Sequence, residues 1–75
     1  MEYQLCSLES ALPCEVTIDE DNGRYMIRKA DTSGEIFNSA EELILWVKTN
    51  WRAEEFCYPE EFQMMMEELD SYQLL

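Results

Sequence analysis

Residues 15–29 read EVTIDEDNGRYMIRK and contain two strand-forming stretches on either side of a tight turn. Apolar and polar residues alternate in both stretches, as they do in a β-strand that buries one face. The Asn22-Gly23 pair between them is the strongest short-range signal of a β-hairpin. We therefore predict an antiparallel hairpin at the centre of the fold. The side chains predicted to face the core are Val16, Ile18, Tyr25 and Ile27.

The segments that flank this hairpin extend the sheet on one side and leave two alternatives on the other. After the hairpin, residues 31–34 (DTSG) favour a second turn and residues 35–37 (EIF) a short third strand. Before it, residues 2–12 place three leucines at helical spacing, but their first residues fit the start of a strand equally well. Pro13 ends whichever element precedes it.

Two amphipathic helices are predicted after the sheet. Residues 38–42 begin the first, because Ser39 can cap a helix and Glu42 stands three residues on, the spacing of a capping box. Pro59 fits the first turn of the second helix, where its missing N–H costs nothing, and this helix runs to about Tyr72. The predicted core stripes contain Ala40, Leu43, Ile44, Val47 and Trp51, with Trp46 on their flank, and Phe62, Met65, Met66 and Leu69.

These elements predict a single α+β domain over residues 1–75, in which two C-terminal helices pack on a three-stranded antiparallel sheet. A short N-terminal helix is one alternative for residues 2–12. No stretch approaches the roughly 20 apolar residues of a membrane span, and the N-terminus lacks the basic and apolar regions of a signal peptide. Because Cys6, Cys14 and Cys57 are odd in number and irregularly spaced, we expect reduced thiols and a cytoplasmic protein.

The composition argues against an enzyme. The chain has no histidine, the commonest general base, and its only glycines, Gly23 and Gly34, form no phosphate-binding loop. The cysteines lack the spacing of metal ligands. The acidic run at residues 19–22 lacks the spacing and closing glutamate of an EF-hand, so a solvated turn is the better interpretation. We therefore expect a non-enzymatic protein with no cofactor and no metal.

Negative charge is the strongest feature of the composition. Seventeen acidic and five basic residues give a formal net charge of −12. That exceeds the magnitude of about 2–8 that suits a small soluble domain. Residues 53–75 contain seven of the acids and no base. Direct binding to nucleic acid or to an anionic membrane is therefore disfavoured, and a basic protein surface is the expected partner. A solvated face that serves only solubility is the alternative.

Several short motifs follow one another along the chain. They are Asp21-Asn22-Gly23 before Tyr25-Met26-Ile27, Lys48-Thr49-Asn50-Trp51 as a Lys-x-x-Trp helix end, Glu54, and Tyr58-Pro59-Glu60-Glu61-Phe62 at the start of the last helix. Through these motifs, and over about residues 25–62, the chain resembles the small acidic type II-A anti-CRISPR inhibitors of phages. Arg24 departs from that family, which carries an acid beside its first turn, and one residue is inserted before Pro59.

The resemblance implies an inhibitor that mimics DNA. Such proteins occupy the site where an RNA-guided nuclease reads a short motif in duplex DNA, using arginines that bind guanines. The implied partner is thus a basic, nucleic-acid-binding protein, bound by a monomer or weak homodimer. The alternative is a small cytosolic adaptor or regulatory module with contacts centred on Leu45, Trp46 and Met64. The resemblance places Asp21, Asn22, Gly23, Glu54, Glu60 and Glu61 in the protein-binding site, and the wider acidic surface adds Asp19, Glu20 and Glu67.

Overall fold

A four-stranded antiparallel meander, with strands in chain order, forms one layer of the protein, and two helices form the other. The computed structural model describes the backbone of residues 1–74 and the side chains of residues 1–71. A single 3₁₀ turn lies between the helices. The elements are β1 (Glu2–Leu5), β2 (Cys14–Asp19), β3 (Arg24–Arg28), β4 (Gly34–Ile36), α1 (Ala40–Asn50), the 3₁₀ turn (Ala53–Glu55) and α2 (Pro59–Leu74).

The predicted β2–β3 hairpin is confirmed. Val16 pairs with Ile27, and both side chains are buried. At the turn, Gly23 has a φ of +64°, a conformation that glycine adopts without steric cost, and its N–H donates to the carbonyl of Glu20 at 3.2 Å. Strand β4 then pairs with β3 and supplies the predicted third strand. Register and burial both follow from the alternation in the sequence.

The prediction of three strands is wrong, because residues 2–5 form a fourth strand rather than a helix. Tyr3 pairs with Val16 and Leu5 with Cys14, so β1 satisfies the backbone groups along the otherwise free edge of β2. A helix over residues 2–12 would leave that edge unpaired. Leu8 and Leu12 are also exposed, so the helical stripe of leucines has no surface on which to pack.

Both predicted helices are present, and the capping prediction for α1 is confirmed. The Glu42 amide donates to the Ser39 hydroxyl at 3.2 Å, and the Glu42 carboxylate accepts a bond from the amide of Asn38 at 3.0 Å. None of the helices among residues 1–74 has the length and apolar character needed to cross a membrane. Their fully buried side chains are Ala40, Leu43, Ile44, Val47, Phe62, Met65 and Leu69, whereas Trp46, Trp51 and Met66 are half-buried against the same core.

The helices cover only one face of the sheet. The buried strand residues Val16, Ile18 and Ile27 belong to one core cluster with the helices. On the opposite face Met26 and Ile36 pair across neighbouring strands, and they expose 42% and 81% of their surface. The core is therefore a single layer of side chains between the sheet and the helix pair.

A chain of aromatic rings crosses the molecule beside this core. Its members lie in edge-to-face, tilted or stacked pairs, arrangements that add about 0.5–1.5 kcal/mol beyond simple burial. The chain links β4 to the start of α2 and thereby fixes the connection between the helices. The ring centroids are 6.2 Å apart for Phe37–Trp46, 5.4 Å for Trp46–Trp51, 5.4 Å for Trp51–Phe56 and 5.1 Å for Phe56–Phe62.

A disulfide joins Cys6 to Cys57, which corrects the prediction that all three thiols are reduced. The two Cα atoms are 5.3 Å apart although 51 residues separate them along the chain. Cys14 is the remaining free thiol and is buried. The spacing of the cysteines could not reveal this pairing, because it depends on β1 ending beside the segment that leads into α2.

Candidate functional site: the acidic end

The structure divides the predicted protein-binding residues into two groups at opposite ends of β2. Asp19 ends the strand and residues 20–23 form the turn after it, whereas Glu61 borders a shallow depression with Pro13, directly before the strand. Because β2 has six residues, a rise of about 3.3 Å per residue separates the two groups by about 20 Å. Glu60 precedes Glu61 on α2, and Glu54 lies in the 3₁₀ turn that contacts this helix, so we assign both to the Glu61 group. The two groups therefore do not form one continuous surface.

Glu67 follows both groups in sequence and lies further along α2 than Glu60 and Glu61. It is exposed on α2, seven residues beyond Glu60 and therefore about 10 Å further along the helix axis. The next residue, Glu68, contacts Tyr3 on β1. The predicted carboxylates of α2 thus follow the helix away from its N-terminus rather than gathering in one cluster.

The group at the start of α2 is assembled by two segments that meet through backbone bonds. We call residues 6–13 the β1–β2 loop and residues 51–58 the α1–α2 connection. The Leu8 amide donates to the carbonyl of Glu55 at 3.1 Å, and the Cys57 amide donates to the carbonyl of Cys6 at 2.8 Å. The disulfide joins the same two segments. This junction brings Glu9 of the loop to the acids of the connection.

The turn between β3 and β4 contributes a further carboxylate to this end of the molecule. Asp31 accepts bonds from the amide and the hydroxyl of Ser33, at 3.0 and 2.5 Å. The hydroxyl bond is the main cause that lowers the pKa of Asp31, which therefore stays ionised at neutral pH. We define the acidic end as the six carboxylates of Glu9, Asp31, Glu54, Glu55, Glu60 and Glu61.

A cleft of about 320 Å³ opens into the acidic end. Its polar wall includes the carboxylates of Glu9, Asp31 and Glu55, and its aromatic wall is formed by Trp46, Trp51 and Phe56. Carboxylates accept charge-assisted bonds from guanidinium groups, and indole rings attract cations through their faces. The arrangement can therefore receive a cationic side chain, which carboxylates alone on a flat surface would bind weakly.

Cys14 reports on the electrostatics inside this cleft. Burial raises the pKa of its thiol, and the carboxylates of Glu55, Glu9 and Asp31 raise the pKa further because they disfavour a thiolate. Carboxylates from three different segments thus all affect the Cys14 thiol, which stays protonated at neutral pH. The negative potential at the acidic end therefore arises because the fold brings these segments together.

The basic residues leave most of this charge uncompensated. Among the side chains of residues 1–71, three of the five bases form ion pairs, Arg28–Glu15 at 4.0 Å, Lys29–Glu35 at 3.0 Å and Lys48–Asp70 at 2.8 Å, and none of the three acids belongs to the acidic end. Lys29 lies at the cleft, with its ammonium 5.7 Å from the centroid of the Trp46 ring. The aromatic wall thus already contacts one cation of the protein itself.

The hairpin tip is the second patch of predicted residues. Asp19 accepts a bond from the Asn22 amide group at 2.8 Å, which is the main cause that lowers the pKa of Asp19. Arg24 pairs with Asp19 in the strand register and places a positive charge beside the turn. The Asn22 side chain therefore serves the turn itself, and the free carboxylates of this patch are those of Glu20 and Asp21, which are exposed.

Three members of the acidic end, Glu9, Asp31 and Glu55, were not predicted from the sequence. Glu55 stands in the same acidic run as Glu54, so composition alone could have included it. No local signal connects Glu9 or Asp31 with that run, because their proximity arises from strand direction and from the junction of the two segments. The apolar residues of the alternative adaptor surface, Leu45 and Met64, expose 65% and 62% of their surface.

Comparison of the chain with protein-family models, with curated proteins and with solved structures finds no match. The similarity to anti-CRISPR inhibitors therefore stays a prediction from the motifs in residues 25–62. What the acidic end can bind follows from its own charges, rings and contacts.

Tyr3 offers a pH-dependent test of the contact between β1 and α2. Its hydroxyl donates to the carboxylate of Glu68. Burial, and then this carboxylate, raises the pKa of Tyr3 well above its usual range. Following tyrosinate absorbance, we expect one of the four tyrosines to ionise late, and we expect Tyr3→Phe to remove that step. The exposed control Tyr58→Phe should leave that late step in place.

The raised pKa of Tyr3 also makes the stability of the fold depend on pH. A tyrosine whose pKa is higher in the folded state stabilises the fold below its unfolded pKa of about 10, and this contribution is lost as the pH rises further. Alkaline destabilisation above about pH 10 should therefore be weaker in Tyr3→Phe than in the wild type. A late ionisation step that survives in this variant would contradict the assignment.

Proposed function

We propose that the protein is a non-enzymatic inhibitor that occupies the basic, nucleic-acid-binding groove of another protein, with an RNA-guided nuclease as the candidate target. The observation that carries the proposal is the acidic end, where Glu9, Asp31 and Glu55 from three segments line one cleft on a chain of net charge −12. Its contact surface comprises the predicted residues Glu54, Glu60 and Glu61 together with the cleft.

The chemistry of such a groove supports this assignment. RNA-guided nucleases read a short duplex motif with arginines, and their channels bind phosphates through further bases. A carboxylate accepts paired bonds from a guanidinium much as a phosphate does. An arginine that enters the cleft meets Glu55 or Asp31 on one side and the Trp51 ring on the other, and guanidinium groups stack well on aromatic faces.

The hairpin tip supplies a second contact patch within this proposal. Successive phosphates of one DNA strand advance by about 3.4 Å along the helix axis, so about 20 Å corresponds to about six base pairs. A groove that holds duplex DNA is long enough to meet both Glu20–Asp21 at the tip and the acidic end. The two patches thus resemble separated phosphates along one duplex rather than one continuous surface.

Exposed apolar residues favour a second candidate function. The adaptor surface suggested by the sequence is centred on Leu45, Trp46 and Met64, of which Leu45 and Met64 are well exposed and Trp46 is half-buried. Methionine is a common soft contact at protein interfaces. An adaptor that binds through these residues should show little dependence on salt, because apolar contacts are not screened by ions.

A competition assay separates the two functions. A type II-A RNA-guided nuclease loaded with guide RNA is mixed with a labelled duplex that contains its adjacent motif, and the protein is titrated at several salt concentrations. We expect displacement of the duplex, with the apparent affinity falling about tenfold or more between about 50 and about 200 mM salt. Absence of displacement at the lowest salt would overturn the proposal for this nuclease class.

A further inference from the structure

The Cys6–Cys57 disulfide joins the two segments that create the acidic end. Cys6 is exposed at the end of β1, and Cys57 is half-buried in the α1–α2 connection. Apart from this bond, the junction contains the two backbone hydrogen bonds from the amides of Leu8 and Cys57. These two bonds flank a β-bridge between Ser7 and Phe56, which are buried, whereas Leu8 and Glu55 are exposed.

Like charges act against this junction. Glu9 belongs to the β1–β2 loop and Glu55 to the α1–α2 connection, yet both line the same cleft. Two carboxylates that line one cleft repel each other, and this repulsion acts against the hydrogen bonds of the junction. The disulfide is the covalent contact between the two segments, so charge repulsion does not open it.

Most of the core lies outside this junction, and Phe56 is the one described residue of the two segments that belongs to the buried cluster. Neither disulfide cysteine belongs to the buried cluster, whereas their neighbours Leu5 and Phe56 do. Strands β2 and β3 and both helices pack through side chains that make no use of the disulfide. Opening the bond would therefore release surface segments while their inner ends stay anchored.

We propose that the Cys6–Cys57 disulfide is a redox switch for the acidic end. In the oxidised protein the β1–β2 loop and the α1–α2 connection form one surface. Reduction separates the two segments and disperses their carboxylates, while the sheet and helices stay folded. The proposal rests on the proposed function only for what this surface binds.

The chemical step is thiol–disulfide exchange with a dithiol reductant. A reductant thiolate attacks the exposed sulfur of Cys6, and Cys57 leaves as a thiolate that takes up a proton. The second reductant thiol then attacks the mixed disulfide, releases Cys6 as a thiolate and leaves the reductant as an internal disulfide. Cys14 takes no part, because it is buried and its raised pKa keeps it a thiol, which is a poor nucleophile.

Hydrogen exchange followed by mass spectrometry tests the switch without any partner. The wild type is compared in oxidised form and after reduction with dithiothreitol, beside a C6S/C57S variant. We expect reduction to speed exchange in residues 6–13 and 51–58 by about tenfold or more, with β2 and β3 changing by less than about twofold. The C6S/C57S variant should match the reduced protein and should not respond to dithiothreitol.

Two exchange results would overturn the proposal. Unchanged protection in residues 6–13 would mean that the hydrogen bonds alone hold the junction. Equal acceleration in β2 and β3 would mean that the disulfide supports the whole fold.

The competition assay is the second measurement. It is run in anaerobic buffer, once with the oxidised and once with the reduced protein.

The reduced protein should displace DNA about tenfold less well than the oxidised protein. If reduction changes hydrogen exchange but the affinities of the oxidised and reduced protein agree within about twofold, the disulfide does not control binding. If the oxidised protein displaces no DNA, the proposed function fails, whereas the exchange result still decides whether the junction opens on reduction.

Discussion

The E60Q/E61Q variant is expected to displace DNA from the nuclease about thirtyfold less well than the wild type. Each carboxylate that pairs with a groove arginine should contribute about 1 kcal/mol, and about 2 kcal/mol corresponds to about thirtyfold in affinity. The affinity should also depend less steeply on salt, because fewer charges take part. The competition assay at several salt concentrations measures both quantities.

The matched control is E20Q/D21N at the hairpin tip, which removes the same number of charges about 20 Å away. We expect this variant to lose no more than about threefold in affinity if the acidic end makes the main contacts. A larger loss from the tip variant than from E60Q/E61Q would contradict the assignment of the acidic end. Because acids in the first turn stabilise a helix, thermal unfolding of both variants must show that α2 stays folded.

Leu43→Ala should lower the free energy of unfolding more than any other variant proposed above. Leu43 is fully buried on α1, and leucine-to-alanine changes in cores cost about 2–5 kcal/mol because a cavity remains. A chain of this size has a total stability of only about 4–11 kcal/mol. At about 4–8 °C per kcal/mol, the unfolding temperature should fall by more than about 10 °C. Thermal unfolding followed by circular dichroism measures it.

Leu45→Ala is the control on the same helix. Leu45 exposes 65% of its surface, so the same change of side chain should alter the free energy of unfolding by less than about 0.5 kcal/mol. A large loss here would mean that Leu45 is covered in solution, as in a dimer. The variant also tests the adaptor function, which predicts weaker partner binding without weaker folding.

The hairpin and the helices could be predicted because their signals are local. Asn22-Gly23 determines its own turn, Ser39 and Glu42 cap α1 through bonds within four residues, and alternation fixes which strand residues are buried. Strand β1 has no comparable signal. It contains four residues of which only Leu5 is fully buried, and it forms because the edge of β2 offers unpaired backbone groups.

The acidic character of the candidate site could be predicted from the sequence, but which acids lie together in the fold could not. Composition identifies an acidic protein, and the resemblance favours the Asn22-Gly23 turn as a partner of the last helix. The path of the chain instead separates that turn from the start of the last helix. Phe37, just after β4, bonds to the carbonyl of Tyr25 near that turn, and α1 then leads the chain back to the other end of the sheet. The acids after α1 therefore adjoin Asp31 rather than the hairpin tip.

The disulfide junction also implies an order of events while the protein folds. Neighbouring strands of the meander pair through short turns, and hairpins of this kind form within about 1–10 μs. Cys6 and Cys57 are 51 residues apart, and their oxidation requires seconds to hours after the chain has already collapsed. The acidic end should thus be the last part of the molecule to be completed. A newly made chain would pass through a folded form that cannot yet bind the proposed partner.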